Sequence, residues 1–156
     1  MTGRALVIAA SVLVALSSCA HRPLSDSTAV THAWCTALVR DDEAAAERLM
    51  TQSLRAEVAR TRAVDSDFRR DHPGDKPPLG DGLRLTSFPD AIASCATLRV
   101  DGDTVLIQVT PAGSPDGGWE DRLRLRTEAG ISRVDDVEFG PTGSDRLRVW
   151  LAAGGM

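Results

Sequence analysis

The sequence predicts an α+β domain in which N-terminal helices pack on a curved, four-stranded antiparallel sheet, closed by a short C-terminal helix. Three observations carry this. Apolar residues recur with a helical period from Ala29 to about Val64. The stretch from Asp71 to Gly82 is then dense in Pro, Gly and Asp. From Ala91 onward the apolar period becomes two.

In the first segment, Ala29 to Arg40 sets Trp34, Cys35, Leu38 and Val39 on one broad helical face. Asp41-Asp42 interrupts it, and either acid can cap a second helix whose first turn holds Glu43. Thr51 is a good cap for a third stretch, from Gln52 to about Val64, with Leu54 and Val58 one turn apart. Asp65 to Pro89 reads as a long surface loop, which Phe68, Leu83, Leu85 and Phe88 pin to the core. His72, between Asp71 and Asp75, is a candidate site residue in that loop.

The strands follow in order. Ser94 to Val100 leads into a hairpin signal at Asp101-Gly102, where the favoured turn needs positive φ. Thr104 to Thr110 returns with Val105, Ile107 and Val109 on one face. Trp119 to Thr127 places Trp119, Asp121, Leu123 and Leu125 on one side and Arg122, Arg124 and Arg126 on the other. A tight turn at Glu128-Ala129-Gly130 precedes a fourth strand, Ile131 to Phe139. The tail from Ser144 to Leu151 fits either a strand or a helix, and the cap at Ser144 favours the helix. Residues 152–156 read as a flexible tail.

The N-terminus is of another kind. Arg4 is followed by an almost uninterrupted apolar run, Ala5 to Leu16, and then by Leu16-Ser17-Ser18-Cys19. That pattern resembles the lipobox of a bacterial lipoprotein signal peptide, since the run is shorter than the roughly 20 apolar residues a spanning helix needs. The resemblance implies cleavage after residue 18, lipidation (palmitate among the acyl groups) of Cys19, and a tether over residues 19–28 ahead of one domain at 29–151. It also implies a domain held at the cell membrane or outer membrane and facing the periplasm or the exterior. Removal of residues 1–18 from the 156 leaves 138, enough for one hydrophobic core. Loss of Arg4 takes the formal charge from −4 to −5, an acidic balance that argues against a nucleic-acid partner.

With Cys19 acylated, Cys35 and Cys95 remain as an even pair in an oxidising compartment, so a disulfide between them is expected, against the alternative of two buried thiols. Neither cysteine has the spacing of a metal site, and no metal or cofactor is expected. The three arginines of the third strand form a stripe that could meet a protein carboxylate, envelope glycan or lipid headgroups. They could equally pair with Asp135, Asp136 and Glu138 on the next strand.

Helices, a loop and then a sheet, together with Gly130-Ile131-Ser132-Arg133-Val134-Asp135-Asp136-Val137-Glu138-Phe139, carry a second resemblance. The segment is similar to the closing strand of small bacterial periplasmic and lipoprotein domains with a Gly-x-Trp-Arg-Ile-Asp-Asp-Ile-x-Tyr type sequence, within the cone-shaped nuclear transport factor two-like superfamily. Ser132 stands where the tryptophan would be. Enzymes of that superfamily line a conical pocket with Asp, His or Tyr. This chain has no tyrosine, and its one carboxylate on the apolar side of a strand is Asp121, with Asp90 or Asp135 as its only candidate companions.

The expected function is therefore a non-catalytic, lipid-anchored envelope protein that binds a protein partner or peptidoglycan. An immunity or inhibitor protein would use a protruding loop, Asp71 to Asp81 or Asp116 to Trp119. A small-ligand carrier would show an apolar pocket lined by Trp34, Val105, Ile107 and Leu123.

Overall fold

Helix α1 (Ser25–Val39) begins four residues before the expected Ala29, so Ser25 to Thr28 are helix and not tether. The computed structural model describes residues 25–80, 82–87, 91–113, 117–140 and 142–155. The signal-like segment, Cys19 and most of the tether therefore lie outside the described residues, as do Phe88, Asp90 and Asp116. Val30, Trp34, Ala37 and Leu38 form the buried face of α1. The helix closes in a Schellman motif: Asp41 N–H donates to the Leu38 carbonyl (3.1 Å) and Asp42 N–H to that of Ala37 (2.9 Å), with Asp41 left-handed at φ 53°. Asp42 then caps α2 (Glu43–Leu49), its carboxylate accepting from Ala45 N–H at 2.8 Å. Two adjacent acids thus end one helix and start the next.

Helix α3 (Gln52–Asp71) is capped by Thr51 as expected but runs seven residues past Val64, so the loop starts at His72 and not at Asp65. The reason is its buried stripe: Leu54, Val58 and Thr61 are followed one turn later by Asp65, a polar side chain 7% exposed. Arg69 donates to the Asp65 carboxylate at 2.7 Å, four residues on, and Leu79 N–H donates to it at 2.9 Å. Helix and loop are closed onto each other by that one group.

The sheet is a simple antiparallel meander, β1 (Ile92–Asp101), β2 (Thr104–Pro111), β3 (Trp119–Glu128), β4 (Ile131–Phe139) and β5 (Asp145–Arg146), in sequence order. It has five strands where the sequence predicts four, because Asp145–Arg146 pairs with Phe139–Glu138 before the chain turns into α4 (Leu147–Ala152). Helix therefore holds only from Leu147, and its N-cap is Arg146, without a side-chain cap bond, rather than the expected Ser144, because Asp145 and Arg146 are taken up in strand pairing. The β1–β2 turn is centred on Gly102 and Asp103, one residue later than expected, with positive φ on Gly102 alone. The β3–β4 turn puts both Ala129 (φ 50°) and Gly130 (φ 81°) in the left-handed region, as a type I′ hairpin requires. Beyond α4, Gly155 N–H bonds to the Trp150 carbonyl, and a Cβ at Gly155 would meet Leu79 at 2.8 Å.

The core lies between the helices and one sheet face. Trp34, Met50, Leu54, Val58 and Leu147 meet Val105, Ile107, Val109, Leu123, Val134 and Val137, all fully buried. Each such side chain contributes roughly 1.5–3 kcal/mol. Met50 bridges to Val134, and Thr51 N–H bonds the Val134 carbonyl at 2.9 Å, so the α2–α3 junction is stitched to β4. At the other edge, Cys35 and Cys95 form a disulfide with Cα atoms 5.1 Å apart, which fastens α1 to β1.

Candidate binding cleft

Where α1 ends, three elements leave a gap. A cleft of about 190 Å³ opens there, floored by Ala37, Leu38, Leu83, Leu85 and Ile92 and rimmed by Asp41, Asp42 and Glu43. The double cap explains the rim, since closing α1 and opening α2 within two residues forces consecutive carboxylates onto one corner. Asp41 occupies a conformation that glycine would adopt without steric cost.

The opposite wall, residues 82–87, is fixed by three carboxylates. Glu43 accepts from Leu83 N–H at 3.3 Å and pairs with Arg62, which also pairs with Glu47. Arg84 donates to Asp145 (2.9 Å) and to the Ser87 carbonyl (3.2 Å) while its guanidinium lies 4.3 Å from the centre of the Phe139 ring. Asp121 holds Ser87. The wall is thus organised before anything docks against it.

Asp121 is the carboxylate that the sequence offers as a pocket acid. It is fully buried on the apolar side of β3, where the sequence places it. Its carboxylate accepts from Ser87 N–H (3.0 Å), the Ser87 hydroxyl, Trp119 Nε1 (3.3 Å) and Gly140 N–H (2.9 Å). Four donors fill the lone pairs, so the group ties a loop and a strand end together and has no face left for a substrate. Asp135, its suggested companion, instead accepts from Thr51 and Arg148, and Arg148 also pairs with Glu57.

The remaining candidates are dispersed. Trp119 is half-buried beside Asp121. His72 is exposed at the end of α3, its ring 4.7 Å from that of Phe68. The loop after it is pinned through Leu79 and Gly80 to Asp65 and Arg69, leaving only residues 73–76 exposed in succession. In the arginine stripe, Arg124 pairs with Glu138 at 2.8 Å and Arg146 joins the same carboxylate at 3.0 Å. Arg122 lies opposite Glu138 in register, whereas Arg126 lies opposite Arg133 and is exposed. The stripe is therefore neither one patch nor one ion-pair ladder. Trp34, Val105, Ile107 and Leu123 are fully buried in the core and do not line this cleft. The indole N–H of Trp34 has no acceptor among the described residues.

Sequence reasoning missed Asp41, Leu83, Leu85 and Ile92 as a site. The Asp41-Asp42 pair was legible as a helix break, but nothing local shows that a loop forty residues later faces it.

No family model matches the chain, and no curated protein or solved structure does either.

Proposed function

We propose that this chain is a lipid-anchored, non-catalytic binding protein of the bacterial cell envelope, with the cleft at the end of α1 as its docking site. The domain would face the periplasm or the exterior, and the cleft would take a cationic segment of an envelope protein. The observation that carries this reading is the pairing of an apolar floor with Asp41, an acidic side chain kept in the left-handed region beside Asp42 and Glu43. Strained non-glycine positions gather at functional sites. The apolar floor takes the stem of a lysine or arginine and the rim takes its charge. The occupation of Asp121 by four donors supports the non-catalytic part. The reading includes the likeness to the cone-shaped superfamily and the sheet curvature that it implies.

The test keeps the caps while removing charge. Asp41→Asn tolerates positive φ and Asp42→Ser retains the helix cap. Partners crosslinked to the wild-type domain in envelope extract should be recovered about tenfold less with the double variant, as loss of roughly 1.4 kcal/mol gives. Unchanged recovery of the same partners would remove the cleft from the reading.

A further inference from the structure

The N-terminus of α1 leaves the domain at a defined place. Asp26, in the first turn of α1, accepts from Ser132 N–H at 2.7 Å, which seats that helix end on the β3–β4 hairpin. The start of α3 meets the same hairpin, where Gln52 N–H donates to Glu128 at 3.0 Å. So does the end of α2, where Arg133 donates to the Arg48 carbonyl at 2.6 Å. Two helix beginnings, one helix end and a hairpin therefore share one pole of the molecule.

That pole differs from the rest of an acidic chain. Arg48 and Arg126 are exposed, Arg133 is half-buried beside Arg126, and Ile131 stands 48% exposed at the hairpin. Arg126 has no carboxylate partner among the described residues. Of the acids near this pole, Asp26 lies in the first turn of α1 and the Glu128 carboxylate accepts from Gln52 N–H at the start of α3, where the helix dipole offsets negative charge, while Asp135 accepts from the Thr51 hydroxyl. Asp101 and Asp103 lie at the same end of the sheet, Asp103 beside Leu125, whose N–H donates to its carbonyl at 2.6 Å, and β3 runs on past them to Glu128.

We infer that this pole, with Ile131 at its tip and Arg48, Arg126 and Arg133 around it, rests on the anionic lipid surface to which the chain is anchored. The inference depends on the reading of Cys19 as the lipidated residue. Five residues lie between Cys19 and Ser25, and the six steps from one to the other, fully extended, reach only about 20 Å. A tether that short keeps α1's first turn, and the hairpin fixed to it, near the headgroups. Basic side chains are attracted there, by about 1 kcal/mol each, while the acidic remainder of the domain is repelled. The result is one orientation, with the basic pole toward the bilayer.

The test uses the full chain produced in a bacterium and extracted in detergent, with an intact-mass measurement to establish acylation of Cys19. It is reconstituted into vesicles of phosphatidylethanolamine and phosphatidylglycerol carrying brominated acyl chains, which quench nearby indoles. The indole introduced by Ile131→Trp should lose most of its emission. The one introduced by Val64→Trp, an exposed site on α3 about 18 Å along the helix from Gln52, should keep it. Adding Arg48→Glu and Arg126→Glu should abolish the difference. Equal quenching at the two sites on an acylated chain would overturn the orientation and leave the anchor standing. An unacylated mass would remove the anchor, and the orientation with it.

Discussion

Two buried aspartates respond to pH in opposite directions. The Asp65 carboxyl is held below its ordinary value, chiefly by the bond from Arg69, which outweighs the cost of burial, with Leu79 N–H and the Arg69 charge adding to it. Its contribution to stability is complete above the unfolded value of 3.8 and is lost as pH falls through the lower folded value. Acid should therefore release the loop after α3 from the helix. Asp136 is raised instead, because burial outweighs the N–H groups of Arg148 and Val137 and the charges of Arg148 and Arg146. Its ionisation costs stability as pH rises from 3.8 through the raised folded value. Asp136→Asn keeps an oxygen for both N–H groups, which lie 2.9 and 3.1 Å away, and removes the charge. Urea denaturation should show this variant gaining stability over the parent at neutral pH, with the gain vanishing below pH 3.8. A variant less stable at neutral pH would show that the field of the neighbouring arginines outweighs desolvation.

At the scale of elements, the Cys35–Cys95 bond closes a loop 60 residues long and joins α1 to an edge strand whose own side chains are mostly exposed. Constraint of the unfolded chain is worth about 4 kcal/mol for a loop of that length. Replacing both cysteines by serine should lower stability by about that amount, and reductant should lower the parent but not the variant. Intact mass with and without reductant checks the bond itself. The cysteine pair could be inferred by counting, since setting Cys19 aside leaves Cys35 and Cys95 as the remaining two. The strands were legible too: β4 has the bounds expected after the turn at Glu128-Ala129-Gly130, and β3 ends one residue later than expected. The last turns of α3 were not, because Asp65, Asp67, Arg69 and Arg70 give no apolar period, and their helix rests on a buried aspartate and the Asp67–Arg70 and Asp65–Arg69 pairs. β5 was hidden for a different reason, since two residues carry no alternation and their pairing with β4 is a tertiary event. Asp121 was legible as the lone carboxylate on a buried face, but its donors Ser87 and Gly140 are far away in sequence and could not be read.

For the whole molecule, solubility turns on the open edge at β1. A strand of ten residues without lysine or proline offers a template for another chain. Two register shifts interrupt it, one of them where Leu98 is extra between Thr97, opposite Ile107, and Arg99, opposite Leu106. A bulge of this kind twists an edge away from further pairing. Deleting Leu98 should restore regular pairing along the edge, and sedimentation should then reveal association that grows with concentration. A variant that stays monomeric at every concentration would assign the protection to Arg99 and Asp101 instead.

The way α1 is held also decides how the domain bears a pull. Tension arriving from the N-terminal side enters at Ser25 and first strains the hydrogen bond between Asp26 and Ser132. Once that yields, the helix can peel only as far as Cys35, where the load passes through a covalent bond into β1. Ten residues can unravel and the sheet behind them stays shut, so a domain tugged at its leash would lengthen slightly and then stop.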